Sequence, residues 1–206
     1  MNCFLLTGPV GEPVALAAAR NWLRVDANDD DGAIAALIVA ARVAVEAATR
    51  RALLTQTWRI QCNRWTTDRA GDGSLASLAV APAPGPVALR LPVAPVQSLA
   101  GLRIYDASGG VQIVPQDIWR LAGAPEDARI VFAAPPPQPG RPDAGIEIDV
   151  VTGYGAAEDV PAPLRQAILT LVAHWYEQRG KTDPAARSMP PAIAGMLAPF
   201  ARRRLP

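Results

Sequence analysis

The sequence predicts an α+β fold: a small helical core with an inserted antiparallel β module and an extended C-terminal arm. Two stretches with helical spacing of apolar residues, one early and one late, flank a middle region of short alternating segments. The core would consist of a short N-terminal helix, a long helix and a C-terminal helix. We expect residues 1–53 to form the N-terminal part of the core, 54–158 the β module, 159–180 the C-terminal helix and 181–206 the arm.

The long helix is predicted over Asp30–Leu53. Asp30 or Asp31 can cap its first turn, and Glu46 with Arg50 has the spacing of a favourable pair. Its half from Ala33 to Ala41 contains no polar residue. A helix that is apolar all round is normally covered on several sides, so we expect the other two helices and a neighbouring subunit to cover it. The predicted contacts with that subunit are Ala36, Val39, Ala40, Val43, Trp175 and Tyr176.

The remaining elements follow from local signals. A short helix is predicted to open at Glu12-Pro13, and a second substantial helix runs from Val160-Pro161 to Gly180, with proline in the first turn and glycine at the stop. Between the long helices, short strands are bounded by turn residues, and Ala107–Gly110 has the composition of a hairpin turn. A proline-rich stretch near residues 81–95 limits that segment to an edge strand or a connector.

Composition excludes several classes of function. The formal net charge of the 206 residues is +1, so the chain shows no bias toward polyanions. Cys3 and Cys62 are too few for a disulfide framework or a zinc site. The N-terminus lacks a signal peptide, and no apolar run is of membrane-spanning length by inspection of the sequence. We therefore expect a soluble protein, assembled in the bacterial cytoplasm, with no membrane partner.

No catalytic constellation is evident. His174 is the only histidine and would be structural. Glu147 and Asp149 share one face of a strand, which we interpret as solvated. The acidic loop Asp26–Gly32 does not match the calcium-loop spacing, and residues 180–182 lack the earlier glycine of a phosphate loop. The sequence predicts no catalytic residue, no metal and no cofactor.

The C-terminal segment combines apolar residues with a basic end. It carries Ile193, Met196, Leu197 and Phe200, followed by Arg202-Arg203-Arg204. Arginines bind phosphates or carboxylates, and apolar anchors between them favour docking on a protein partner.

Several stretches occur in a fixed order along the chain: LAAARNWLRVD, DDGAI, VEAATRRALLTQTW, LPVAPVQSLAGLRIYD, IDVVTGYG, VPAPLRQAILTLVAHWYEQR and PPAIAGMLAPFARRRL. Together, from about Leu16 to Leu205, they resemble the head–tail connector (adaptor) proteins of long-tailed bacteriophages and of the related gene transfer agents.

This resemblance implies a ring, commonly dodecameric, at the neck of a virion or phage-like particle. Such a ring lies beneath the portal, extends the DNA channel and supports the stopper protein. The implied partners are other copies of the chain, the portal protein, the stopper and, through the β insert, the major capsid protein. DNA would pass without sequence-specific binding. A near-neutral charge is consistent with passage, because each phosphate contact adds affinity.

The resemblance also implies that the C-terminal segment reaches into the portal. The expected portal-binding residues are Arg187, Met189, Ile193, Met196, Leu197, Phe200, Arg202, Arg203 and Arg204. Two alternatives stay open at this point. One is another neck component, such as a stopper or tail-completion protein. The other is a hydrolytic enzyme that uses Glu147, Asp149 or His174.

Overall fold

Helices and antiparallel sheets both form, which confirms the predicted α+β class. A computed structural model describes residues 1–65, 88–179 and 188–201. The chain divides into two units. The sheet unit contains Met1–Gly8 and the described part of Gln56–Thr152. The helical unit contains Pro9–Thr55 and the described part of Gly153–Arg203.

The helical unit has four α-helices among the described residues. They are α1 (Leu16–Leu23), α2 (Asp31–Thr49), α3 (Ala162–Glu177) and α4 (Pro191–Leu197). The expected start of α1 at Glu12-Pro13 is wrong, because the backbone is still extended at Ala15, the residue before the helix.

The ends of α2 differ from the prediction in two ways. The helix ends at Thr49, because Arg50 adopts a left-handed conformation with φ 55°. At the start of α2, the side chain of Asp30 does not cap the helix. Its carboxylate instead accepts hydrogen bonds from Tyr176 and Arg179. Within α2, Glu46 pairs with Arg42, four residues before it, at 3.0 Å, and not with the predicted partner Arg50, four residues after it.

One apolar cluster holds the helical unit together. Its buried members come from all four helices and from the segments that flank them: Val14, Ala19, Ile34, Ile38, Ala41, Val45, Leu53, Leu54, Val160, Leu164, Ala167, Ile168, Leu171, Val172, Ile193 and Leu197. Among the described helices, α2 alone is long and apolar enough to cross a membrane, contrary to the expectation from the sequence. A core helix passes the same test, and Ile34, Ile38 and Val45 of α2 are buried in this cluster.

The sheet unit contains two antiparallel sheets. The larger has the strand order β1-β2-β8-β4-β5, and the smaller has the order β3-β7-β6. The strands are β1 (Asn2–Thr7), β2 (Gln56–Cys62), β3 (Ala88–Arg90), β4 (Val96–Tyr105), β5 (Val111–Ile113), β6 (Trp119–Ala122), β7 (Arg129–Phe132) and β8 (Ile146–Thr152). Residues 66–87, which include the first part of the predicted proline-rich stretch, lie outside the described residues.

The N-terminal strand changes one expected boundary. Residues 1–53 are predicted as one piece of the helical core, but β1 pairs with β2 from Asn2↔Gln61 to Leu5↔Trp58 and so belongs to the sheet unit. The predicted β4–β5 hairpin forms. Asp106 Oδ1 accepts the N–H groups of Ser108 and Gly110, each at 2.8 Å, and so fixes the turn.

The two faces of the larger sheet differ in chemistry. Alternate residues on each strand point to opposite faces. One face packs with the smaller sheet in a buried apolar cluster that includes Ile60, Leu102, Ile130, Ile148 and Phe132. The opposite face carries polar and charged side chains, and we call it the ionic face.

Candidate assembly surfaces

The outer face of α2, defined here as Ala36, Val39, Ala40 and Val43, is open to water in the isolated chain. Val39 and Val43 are 42% and 52% exposed, and both alanines are exposed. The four residues lie three or four apart and therefore form one stripe. These four residues are among those predicted to contact a neighbouring subunit, and that prediction is untested in the isolated chain. The helical core receives the other side of α2, through Ile34, Ile38, Ala41 and Val45.

Arg42 lies on α2 between its core side and its outer face, and its buried charge is paired with carboxylates. Arg42 is only 9% exposed, and its guanidinium contacts Glu12 at 2.8 Å and Glu46 at 3.0 Å. Burial alone would lower the pKa of Arg42, but the two carboxylates outweigh it, so the pKa is raised. The outer face therefore stays apolar although α2 carries charges.

Two of the predicted interface residues are used inside the chain. The hydroxyl of Tyr176 donates to Asp30, and the guanidinium of Arg179 stacks 3.9 Å from the centre of the Tyr176 ring. The hydrogen bonds from Tyr176 and then Arg179 lower the pKa of Asp30. Trp175 is partly buried against the helical core. Tyr176 thus ties the end of α3 to the start of α2, and Trp175 packs within its own unit.

The C-terminal helix α4 packs against the core of the helical unit, where the sequence predicted an extended arm. Ile193 and Leu197 are 1% and 2% exposed within the helical core. Phe200 packs on the same core, as does Met189, and the backbone oxygen of Phe200 accepts a 2.6 Å hydrogen bond from Arg51. The expectation that residues 181–206 form an extended arm is therefore wrong for the part that forms α4. Of the predicted portal-binding residues, Met196 is half-buried, whereas Arg187 and Arg202–Arg204 lie outside the described residues.

A cluster of four charges occupies the centre of the ionic face. Arg59 contacts Asp149 through Nε at 2.7 Å and Nη2 at 3.0 Å, and Arg103 also donates to Asp149. Glu147 lies 3.4 Å from Arg59. We call Arg59, Arg103, Glu147 and Asp149 the ionic cluster. The solvated interpretation of its carboxylates is wrong, because Glu147 is 5% and Asp149 7% exposed.

Neighbouring polar groups complete the cluster. Gln61 and Tyr105 each donate to Glu147 at 2.8 Å. Burial acts to raise the pKa of Glu147, but hydrogen bonds from Tyr105 and Gln61 and the two arginines outweigh it. The pKa of Asp149 is also lowered, since Arg59 and Arg103 outweigh burial. Both carboxylates are therefore held in the charged form.

Sequence reasoning missed the basic members of this cluster. The signal that could have found them is the period of two: Arg59 and Gln61 on β2, and Arg103 and Tyr105 on β4, alternate with buried apolar residues. The register that places these residues against β8 is set by strand pairing. A single sequence does not reveal that pairing.

The described residues do not assemble the chemistry of a hydrolase. The ionic cluster has two acids matched by two arginines, which is the composition of a structural network. His174 lies in the last turn of α3 and belongs to the other unit. A cavity of about 360 Å³ in the helical unit is lined by Val10, Gly11, Glu12, Leu54, Thr55 and residues 155–157, and its acid, Glu12, is paired with Arg42. No metal-binding group of acids, cysteines and histidine occurs in the described part of the chain.

The chain is similar in fold to chains in solved structures of gene transfer agent particles. The chain is similar over 100% of its length, and over 97% of the other chain, to a component of the neck of an empty gene transfer agent (GTA) particle computed with C6 symmetry, at TM-score 0.76 and 27% identity. A chain from the virion of a native GTA particle gives TM-score 0.77 and 26% identity, with the same coverage. The neck of a native GTA particle computed with C12 symmetry gives TM-score 0.70 and 27% identity.

The class defined by the fold is therefore that of an α+β chain similar from end to end to neck components of gene transfer agent particles. No family model matches the chain, and no curated protein matches it.

Proposed function

We propose that this chain is a structural component of the neck of a gene transfer agent or phage-like particle, in which its copies form a symmetric ring. The full-length likeness carries this proposal. It covers 100% of this chain and 97% of a neck chain at 27% identity, so both units take part in the match. The necks that contain the similar chains were computed with C6 and C12 symmetry.

Within the neck, we assign the chain to the head–tail adaptor position. There it would lie beneath the portal, extend the DNA channel and support the stopper, and the sheet unit would be available to contact the capsid. The order of the sequence motifs supports this position. A net charge of +1 suits a channel wall, because many phosphate contacts would retain DNA in transit.

Subunit packing in the ring would use the outer face of α2. Val39 and Val43 are exposed in the isolated chain, and their stripe is bordered by a neutralised Arg42. Closing this face against another copy would bury apolar area with no unpaired charge, which is the favourable case for association.

Portal docking would use fewer residues of the C-terminal segment than the sequence implies. Ile193 and Leu197 lie in the helical core, so their use by the portal would require α4 to leave that core. With α4 in place, Met196 is half-buried, and we propose that its exposed part acts in docking together with Arg202, Arg203 and Arg204. Arginine suits carboxylates on a protein surface because of its bidentate geometry.

Imaging the neck tests the proposed function. The gene is deleted in a producing strain, and complemented with a tagged copy. We expect the deletion to yield heads that are not joined to tails, and the tag to label one ring between head and tail. Intact necks in the deletion strain would overturn the proposal. A labelled ring next to the tail instead of the portal would assign the chain to the stopper or tail-completion position.

Capture on purified portal tests the docking segment separately. Arg202, Arg203 and Arg204 are replaced together by glutamine, and the matched control carries the same change at Arg24, Arg120 and Arg165. Both variants lose the same charge. We expect only the first to lose capture, and equal capture by both would contradict docking through the C-terminal arginines.

A further inference from the structure

The larger sheet ends in two strands whose outer edges have no partner among the described residues. β1 pairs with β2 alone, and β5 pairs with β4 alone. The outer edges therefore present backbone N–H and C=O groups to water. All six residues of β1 and all three of β5 are exposed.

Neither edge strand carries a charged side chain or a proline, although β5 is short at three residues. Edge strands of proteins that remain monomeric commonly carry charged residues or proline, which prevent pairing with other chains. β1 reads NCFLLT and β5 reads VQI, without a charge or a proline. The irregularity in β1 falls between Leu5 and Thr7 and leaves Asn2–Leu5 in regular register.

The side chains at the two edges also match. Phe4 lies opposite Arg59 and so points to the ionic face. Val111 and Ile113 lie opposite Tyr105 and Arg103 and point to the same face. Phe4 is 48% exposed, Val111 56% and Ile113 72%. An aromatic residue beside β-branched residues is a favourable cross-strand combination.

From these edges we propose that the β5 edge of one copy pairs with the β1 edge of the next, so that the sheets join around the ring. This inference rests on the proposed ring, since it assigns the occupant of both edges to a second copy of this chain. A contact between two different surfaces of one molecule is heterologous, and such a contact generates a closed ring when its rotation closes.

The strand directions fix the geometry of this pairing. Each of β1, β2, β8, β4 and β5 is antiparallel to its neighbour, so the first and last strands of the sheet run in the same direction. A sheet continued from β5 into the next β1 therefore pairs in parallel. A two-fold dimer would instead pair β1 with β1 in antiparallel orientation.

The exposed Cys3 provides a direct test. Cys3 lies opposite Ile60 and Gln112 opposite Ile104, so both residues point to the face away from the ionic cluster. In a Cys62→Ala background, which removes the buried thiol, Gln112→Cys is introduced. Because desolvation of its thiol raises the pKa of Cys3, mild oxidation is carried out at about pH 8.5.

We expect a ladder of covalent oligomers beyond the dimer on a non-reducing gel. The matched controls are Val111→Cys and Ile113→Cys, which point to the opposite face and should give no ladder. Leu5→Cys combined with Cys3→Ser tests the register shifted by two residues. A ladder from either Cys3 or residue 5 with residue 112 supports the pairing.

Three outcomes would overturn it: no ladder at either register, equal ladders from the two controls, or a product that stops at a dimer linked through Cys3 without Gln112→Cys. The oxidation is carried out on particles and also on concentrated purified chain. If imaging shows the ring in the neck but no ladder forms, the pairing fails and the proposed function stands. If the chain is absent from the neck, the purified chain still decides the pairing.

Discussion

The helical unit and the sheet unit both expose large apolar side chains, but they offer a partner different chemistry. The backbone of α2 is internally hydrogen-bonded, so its outer face offers only side chains such as Val39 and Val43. The outer edges of β1 and β5 offer backbone groups as well. A helix face of this kind contributes area, whereas a strand edge also fixes register and direction.

The units also differ in what they bury. The buried residues described in the helical unit include no carboxylate, whereas the sheet unit buries Glu147 and Asp149. The helical unit should therefore be most sensitive to lost apolar volume, and the sheet unit to lost charge pairing. The following changes test that contrast, from the largest expected effect to the smallest.

The largest effect is expected at adjacent positions on α2. Ile38 is 2% exposed and Val39 42%. Ile38→Ala should lower the free energy of unfolding by about 2–5 kcal/mol, because it removes buried methyl groups and leaves a cavity. Val39→Ala should change it by less than about 0.5 kcal/mol, because its site is open and alanine favours the helix. Urea denaturation of each variant measures both values. Equal losses would mean that the outer face is already covered in the isolated chain.

A smaller loss is expected in the sheet unit when one carboxylate is removed. Asp149→Ala should cost about 2–4 kcal/mol, because Arg59 and Arg103 would be left without their main acceptor. The cost is less than for a fully buried pair, since the two arginine side chains are 29% and 27% exposed.

Asp127→Ala is the matched control for this change. Asp127 also contacts two arginines, Arg90 and Arg129, but its side chain is 40% exposed. Removing this surface carboxylate should cost less than about 1 kcal/mol. Similar losses for the two variants in urea denaturation would show that burial of the ionic cluster contributes nothing.

The sequence predicted those elements whose signals are local. The apolar periods of α2 and α3 and the turn at Ala107–Gly110 depend on neighbouring residues, and these elements form, although α2 ends four residues earlier than expected. The pairing of β1 with β2 joins residues fifty or more positions apart, and no pattern within residues 1–12 indicates that partner.

The apolar residues of the candidate assembly surfaces could be predicted from the sequence, but their contacts could not, because those contacts also depend on residues distant in the chain. The apolar residues of α2 are visible in the sequence, but which of them face the core depends on where α1 and α3 pack. Ile193 and Leu197 have the spacing of a docking helix, and the same spacing serves the chain's own core. The role of α2's outer face as a subunit contact stays a prediction.

Lowering the pH should destabilise the sheet unit more than the helical unit, and this is the smallest of the expected effects. Asp149 and Glu147 have lowered pKa values in the folded chain, because arginine, tyrosine and glutamine contacts outweigh the opposing effect of burial. A lowered pKa means that the folded state binds protons less readily than the unfolded state. The resulting stability is fully present above the unfolded values of about 4 and is lost as the pH falls through the folded values.

Hydrogen exchange followed by mass spectrometry distinguishes the units, after correction for the intrinsic pH dependence of exchange. Between neutral pH and about pH 3, protection should fall more in β2, β4 and β8 than in α2 and α3. The lowered pKa of Asp30 acts with the same sign in the helical unit, but that carboxylate lies at the surface, where its contribution is small. Asp149→Asn should reduce the difference between the units, because its site no longer titrates. If α2 and α3 lose protection first, the buried carboxylates do not set the acid limit of the fold, and the contrast between the two units must rest on apolar packing alone.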